Sequence, residues 1–145
     1  MPKAGLTKHI VVYVDDDKDD LQLVTDALLP YRDSIEVRAF DSGPDAYTFL
    51  LALETKGEKP CLIILDINMS ALSGRELLTI LRGIPFFSDV PIILFTTSNA
   101  ELDYSFALRY NAGFITKPMT YQQMDLIAEQ FLSHCSHEVR ERIRK

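Results

Sequence analysis

The sequence predicts an α/β protein with a doubly wound, five-stranded parallel sheet. Three short, continuous apolar runs, at residues 10–14, 62–65 and 92–95, are typical of strands buried on both faces. Residues 35–40 alternate apolar and polar side chains, which is typical of an edge strand, and residues 114–116 predict a short fifth strand. Apolar residues at helical spacing lie between these segments, so strand and helix alternate five times.

The predicted helices are recognised by their apolar stripes. Two segments place apolar residues at i, i+3, i+4 and i+7, a spacing that aligns them on one helix face. These stripes are Ala46, Phe49, Leu50 and Leu53 in the first segment and Leu77, Ile80, Leu81 and Ile84 in the second. Asn99 is the predicted N-cap of the fourth helix.

Length and composition indicate one compact domain. The chain has 145 residues, of which 47% are apolar and 25% charged. We expect an N-terminal extension over residues 1–8, a single domain over 9–135, a tail or helical extension over 136–145, and no output domain.

Charge and cysteine content limit the class of protein. The net charge of -6 argues against general nucleic-acid binding, which needs a basic face. No apolar run is long enough to span a membrane, and the first residues lack a signal-peptide core. Cys61 and Cys135 lie in apolar segments and are interpreted as buried thiols. These features predict a cytoplasmic protein.

Reactive side chains follow four of the predicted strands. Asp15 and Asp16 follow the first, Asp66 the third, Thr96 the fourth and Lys117 the fifth. The carboxyl ends of parallel strands meet at one edge of a sheet, where such folds bind ligands. Clustered carboxylates repel unless a cation lies among them, and hard oxygen ligands without His or Cys favour Mg²⁺. The pattern predicts a metal-assisted phosphoryl-transfer site with a carboxylate nucleophile.

The remaining acids after the first strand have a simpler interpretation. Asp17, Asp19 and Asp20 are predicted to be a solvated helix start, because carboxylates stabilise helix N-termini.

Four motifs in order resemble the response-regulator receiver domain of the chemotaxis-regulator type. They are V-D-D-D, L-D-I-N-M-S-A-L-S-G, F-T-T-S and F-I-T-K-P, and the resemblance extends from about His9 to Leu132. It implies a flavodoxin-like (βα)5 fold with strand order 2-1-3-4-5. It also implies a response regulator of a two-component system, and because no output domain is expected after the receiver, we expect it to act as a stand-alone regulator.

The resemblance implies a role for each residue of the site. Asp66 is the expected phosphoryl acceptor. Asp15, Asp16, Asp66 and the backbone carbonyl of Asn68 are the expected ligands of Mg²⁺, or of Mn²⁺ in its place.

The implied switch residues lie on the last two strands. Lys117 is expected to pair with a phosphoryl oxygen and to precede a cis peptide bond to Pro118. Thr96 is expected to move its hydroxyl onto the phosphoryl group, and Phe114 takes the place of the aromatic switch residue, usually Tyr. Phe114 lacks the Tyr hydroxyl, and Ser70 stands where the family usually has Pro.

The implied partners are proteins. A sensor histidine kinase or phosphotransfer protein would donate the phosphoryl group, and a downstream protein would receive the signal. The fourth helix, fifth strand and fifth helix form the expected interaction surface, with a homodimer as a hypothesis. Tyr104, Phe106, Tyr110, Phe114 and Tyr121 supply its aromatic side chains.

Three other functions fit these residues less well. A haloacid-dehalogenase-like phosphatase needs D-x-D at the nucleophile, but this chain has Asp66-Ile67-Asn68, and a cap domain does not fit the length. A pseudo-receiver would lack an acid, the acceptor or the lysine, and a flavodoxin-like cofactor site would not place acids at a phosphate. We therefore expect a phosphoacceptor signalling protein and not an enzyme.

Overall fold

Five parallel strands form one sheet in the order β2-β1-β3-β4-β5, which confirms the predicted fold. The computed structural model describes residues 8–97 and 100–145. The strands are β1 (His9–Val14), β2 (Ile35–Phe40), β3 (Leu62–Leu65), β4 (Ile92–Thr96) and β5 (Gly113–Thr116). β1, β3 and β4 are the continuous apolar runs, and they occupy the centre of the sheet because both their faces are buried.

Six α-helices accompany the strands in the described ranges. They are α1 (Lys18–Leu28), α2 (Gly43–Lys56), α3 (Gly74–Arg82), α4 (Glu101–Arg109), α5 (Met124–Ser133) and α6 (His137–Arg142). Short 3-10 helices cover Leu29–Tyr31, Pro85–Phe87 and Tyr121–Gln123. None of the helices described is long and apolar enough to cross a membrane.

Each face of the sheet has its own hydrophobic cluster. On one face, α1 and α5 pack against β1 and β3 through residues such as Val24, Phe131 and Ile64. On the other face, α2, α3 and α4 bury Leu50, Leu77 and Ala107. Strand residues alternate between the two clusters, since successive side chains of a strand point to opposite faces.

The buried stripe of α3 differs from the predicted one. Leu77 and Leu81 are fully buried as expected, but Leu78 is buried with them and Ile80 is 37% exposed. Gly74 supplies the first position of the stripe, so the i, i+3, i+4, i+7 pattern begins there. A glycine has no apolar side chain, so the sequence pattern alone does not show that Gly74 belongs to the buried face.

The ends of the chain are described in part. The predicted extension at residues 1–8 lies outside the described residues except for Lys8, and so does the predicted N-cap Asn99. At the other end, Val139 and Ile143 pack against the cluster that holds α1 and α5. Cys61 and Cys135 are buried and free, which confirms their interpretation as thiols.

The turn between β3 and α3 is fixed by two local features. Ser73 caps α3 by accepting from the Glu76 backbone N–H at 3.1 Å, while the Glu76 carboxylate accepts from the Ser73 N–H at 3.1 Å. Gly74 lies against the backbone of Asp66, where any Cβ at position 74 would overlap the Asp66 carbonyl oxygen. The glycine thus lets the start of α3 approach the end of β3.

Candidate functional site

Three carboxylates meet at one edge of the sheet, as the sequence predicts. Asp15, Asp16 and Asp66 each offer an oxygen atom, and these atoms all lie within 4.8 Å of one another. Asp15 is completely buried, Asp66 is 5% exposed and Asp16 is exposed. The cluster is therefore open to solvent on the side of Asp16.

Asp15 is held by three donors. The Tyr13 hydroxyl donates to its Oδ2 at 2.6 Å, the Asp17 backbone N–H donates to its Oδ1 at 3.0 Å, and Lys117 Nζ donates to its Oδ2 at 2.8 Å. Burial and the Asp15 carboxylate raise the pKa of Tyr13, so the phenol keeps its proton and acts as a donor. These bonds fix the orientation of a carboxylate that is out of contact with water.

Lys117 lies among three carboxylates. Its Nζ atom is 2.8 Å from Asp15 Oδ2, 2.8 Å from Asp20 Oδ2 and 3.7 Å from Asp66 Oδ2. Burial lowers the pKa of the Lys117 ammonium, but its hydrogen bonds to Asp15 and Asp20 outweigh burial, and the pKa lies above its ordinary value. Lys117 is thus a fixed positive charge beside Asp66.

The environment of Asp66 disfavours its charge. Burial, followed by the Asp15 carboxylate, raises the pKa of Asp66 from 3.8 to about 6, against the opposing effects of Lys117 and the Asn68 backbone N–H. One lysine does not compensate the acids around it. The uncompensated charge and the oxygen-only donors fit a hard divalent cation.

The two expected switch residues lie on neighbouring strands. Thr96 ends β4 and is fully buried, and Phe114 in β5 is half-buried. The Phe114 ring meets the Tyr104 ring of α4 edge-on, with ring centroids 5.8 Å apart. Asn68, whose carbonyl is an expected metal ligand, is exposed in the loop after β3, between the buried residues Ile67 and Met69.

The predicted cis peptide bond between Lys117 and Pro118 is wrong for this structure. Of the peptide bonds that the structure describes, none is cis. The trans form is the ordinary one and is favoured by about 0.5–1 kcal/mol for a bond to proline. The Lys117 N–H extends the strand pairing by donating to the Thr96 carbonyl at 2.7 Å, and the ammonium reaches Asp15 with the bond trans.

Two members of the site were not recognised in the sequence. Tyr13 lies two residues before Asp15, so the two side chains point to the same side of the strand. This two-residue spacing is the sequence signal that could have identified Tyr13. Asp20 was interpreted as part of a solvated helix start. That interpretation is right for Asp17, which caps α1 by accepting from Asp19 N and Asp20 N, but wrong for Asp20, which binds Lys117.

The raised pKa of Asp66 predicts how stability depends on pH without metal. Because the pKa of Asp66 is higher in the folded state than in the unfolded state, the protonated carboxyl stabilises the fold. This contribution is complete below about pH 3.8 and is lost as pH rises through about 6. In buffer with EDTA, Asp66→Asn should therefore be more stable than wild type by about 2–3 kcal/mol at about pH 7.5. Urea denaturation should show the difference shrinking as pH falls from about 6 towards 3.8, because Asp66 is then increasingly protonated in the folded state. Equal stability at neutral pH would contradict the assigned environment of Asp66.

Comparison with known proteins identifies the family. Residues 11–129 match the response regulator receiver domain. Response regulator Rcp1 of Synechocystis sp. is 31% identical over 115 residues, covering 74% of this chain and 76% of Rcp1. A chemotaxis protein CheY homolog of Campylobacter jejuni is 29% identical over 131 residues, covering 88% of this chain and 95% of the homolog.

Solved structures show the same architecture. The phosphorylated cyanobacterial phytochrome response regulator RcpA aligns with a TM-score of 0.78 and 26% identity, covering 90% of this chain and 98% of RcpA. The Mn²⁺-bound form of Rcp1 aligns with a TM-score of 0.76 and 26% identity, covering 86% of this chain and 92% of that structure. With its strand order and its strand-end residues, this chain belongs to the response regulator receiver domain family of two-component signalling.

Proposed function

We propose that Asp66 accepts a phosphoryl group in a cation-dependent reaction and that the phosphorylated domain switches a protein-binding surface. The observation that carries this proposal is the position of Asp66, buried at the end of β3 with Lys117 Nζ at 3.7 Å and two more acids beside it. RcpA, a structural neighbour, is known in a phosphorylated form, which supports the proposal.

The proposed transfer forms one bond and breaks one bond. An Asp66 carboxylate oxygen attacks the phosphorus of a phosphohistidine on a partner kinase or phosphotransfer protein, and the N–P bond breaks as the imidazole leaves and takes up a proton. Such transfers depend on positioning and charge neutralisation more than on covalent help. Lys117 is placed to neutralise a phosphoryl oxygen, because its ammonium is fixed and mostly buried beside the acceptor.

The residues at the sheet edge fit a divalent cation, and Mg²⁺ is the ion we propose. Asp15, Asp16, Asp66 and the Asn68 carbonyl would hold it, with water completing its oxygen ligands. When bound, the ion would offset negative charge on the acids and on the phosphoryl oxygens. Rcp1, a structural neighbour, is known in a Mn²⁺-bound form, which supports a divalent ion as the cofactor.

The proposed output surface consists of α4, β5 and α5. Leu102, Tyr104 and Leu108 of α4 are 50–79% exposed, and Leu126 of α5 is 62% exposed. Contiguous exposed apolar patches mark protein-interaction surfaces, and Tyr104 and Leu108 are neighbours on one face of α4 because they are four residues apart. Of the other predicted aromatics, Phe106, Tyr110 and Phe114 pack partly into the core, and nothing is described of the Tyr121 side chain.

Phosphorylation would reach this surface through Thr96 and Phe114. The added charge of about -1.5 to -2 is strong enough to recruit a nearby hydroxyl. Thr96 ends the strand that pairs with β5, and Phe114 contacts Tyr104 on the exposed side of α4. A downstream protein or a second copy of the chain would read the change. The domain would then be a phosphoacceptor that acts on no separate substrate.

Acetyl phosphate with Mg²⁺ should transfer one phosphoryl group to the wild-type protein. Asp66→Asn should gain none, because the amide is a poor nucleophile, and omission of Mg²⁺ should suppress the reaction in wild type. Intact-protein mass spectrometry would read the product.

Asp45→Asn provides the control, since Asp45 is an exposed acid in the first turn of α2. It should be phosphorylated like wild type. Equal labelling of Asp66→Asn and wild type would refute Asp66 as the acceptor, and so would the absence of labelling in a folded wild-type protein with Mg²⁺.

A further inference from the structure

We propose that Asp20 is a positioning residue that holds the Lys117 ammonium in competition with an anion on Asp66, and so lowers the affinity of the site for a phosphoryl group. This inference rests on the proposed function of Asp66. It assigns a role to an acid that lies outside the cluster of Asp15, Asp16 and Asp66.

The Lys117 ammonium contacts Asp20 more closely than it contacts Asp66. The Nζ atom is 2.8 Å from Asp20 Oδ2 but 3.7 Å from Asp66 Oδ2. The side chain of Lys117 is 10% exposed and that of Asp20 is 28% exposed, so the ion pair is largely shielded from solvent. Partly buried ion pairs are stronger and less screened than surface pairs.

The local fold fixes Asp20 in this place. Asp17 caps α1 and accepts from the Asp20 backbone N–H at 3.1 Å. This bond fixes the direction in which the side chains of the first helical turn point. Asp20 is thereby directed towards the end of β5, where Lys117 begins the following loop. Lys117 Nζ also lies 5.7 Å from the centre of the Phe95 ring, which bounds the ammonium on another side.

The charges at the site decide the direction of the effect. Asp15 and Asp20 both bind the ammonium that an anion on Asp66 would need, but only Asp15 is also placed to bind a cation. Asp20 adds a negative charge that a bound cation would not contact directly. Its neutralisation should release Lys117 towards Asp66 and remove repulsion from an incoming anion.

Beryllofluoride, a mimic of the phosphoryl group, tests this inference at saturating Mg²⁺. Calorimetry should show that Asp20→Asn binds beryllofluoride about fivefold or more tightly than wild type. Asp20→Glu keeps the charge and should stay within about twofold of wild type.

Asp19→Asn is the matched control. Asp19 precedes Asp20, carries the same charge in the same helical turn, and is exposed. Its substitution changes net charge and helix-terminal charge equally, so its beryllofluoride affinity should differ from that of wild type by less than about twofold.

A second measurement needs neither metal nor beryllofluoride. In protein with ¹⁵N-labelled lysine and EDTA, the shielded ammonium of Lys117 should give an NMR signal that Lys117→Met removes. Asp19→Asn should leave this signal unchanged, and Asp20→Asn should shift or broaden it because one of the two short ion pairs is lost.

The outcomes separate the two proposals. If wild type binds no beryllofluoride with Mg²⁺ present, the proposed function fails and this inference falls with it. If wild type binds but Asp20→Asn and Asp19→Asn bind alike, or Asp20→Asn binds more weakly, only the role of Asp20 is refuted. An unchanged Lys117 signal in Asp20→Asn would also refute it.

Discussion

Gly74→Ala is expected to destabilise the protein by about 3 kcal/mol or more and to abolish phosphorylation of Asp66. An alanine Cβ would overlap the Asp66 carbonyl oxygen and lie 2.8 Å from its carbonyl carbon and 3.1 Å from the Ile67 Cα. These are backbone atoms, so no side-chain rotation can relieve the clash. Either the start of α3 or the segment that follows β3 must move, and Asp66 is the first residue of that segment.

Gly83→Ala is the matched control for this prediction. Gly83 follows α3 with a φ of -83°, and the nearest atom to a Cβ added there would be the Ile80 carbonyl oxygen at 3.4 Å. Its substitution should change the free energy of unfolding by less than about 1 kcal/mol. Urea denaturation of both variants measures the difference. A Gly74→Ala protein as stable as Gly83→Ala would show that α3 does not press on Asp66.

Arg82→Met is expected to destabilise the protein by about 3 kcal/mol or more, because it leaves several carbonyl groups without their charged donor. Arg82 Nε donates to the Tyr110 carbonyl at 2.8 Å and Nη2 to the Asn111 carbonyl at 2.9 Å. Nη1 donates to the carbonyls of Phe87 and Val90, each at 2.8 Å. One side chain therefore joins the end of α3 to the loops before β4 and β5.

The planar fork of the guanidinium explains why Arg82→Lys should recover only part of this stability. The control is Arg38→Met, because Arg38 lies exposed on β2 with a salt bridge to Glu36 at 3.2 Å. Arg38→Met should lower the free energy of unfolding by less than about 1 kcal/mol. Chemical denaturation with a common denaturant would rank the three variants. An Arg82→Met loss no larger than that of Arg38→Met would refute the joining role.

The fold and the central residues of the site were predictable because they depend on local pattern and topology. Continuous apolar runs identify β1, β3 and β4, and a parallel sheet brings the residues that follow them to one edge. Asp15, Asp66 and Lys117 meet there as expected. Asn111, which precedes β5, has a φ of 54° and so adopts the left-handed conformation, which asparagine tolerates.

The missed features depend on contacts between residues distant in sequence. Asp20 meets Lys117 across 97 positions, and Arg82 meets Asn111 across 29. Each pair depends on how a helix is rotated about its axis relative to a distant segment of the chain. The spacing of residues within the helix does not predict this. An acid in the first turn of a helix and an arginine in the last turn both have ordinary explanations from helix electrostatics. The sequence alone therefore gives no reason to assign a tertiary contact to Asp20 or Arg82.

The most direct test of the central claim is to locate the modified residue chemically. After incubation with acetyl phosphate and Mg²⁺, borohydride reduces an aspartyl phosphate to homoserine, and peptide mass spectrometry finds its position. The proposed function predicts homoserine at position 66, with Asp15, Asp16 and Asp20 unchanged. Homoserine at one of those acids instead, or phosphate on a residue outside the site, would contradict Asp66 as the acceptor.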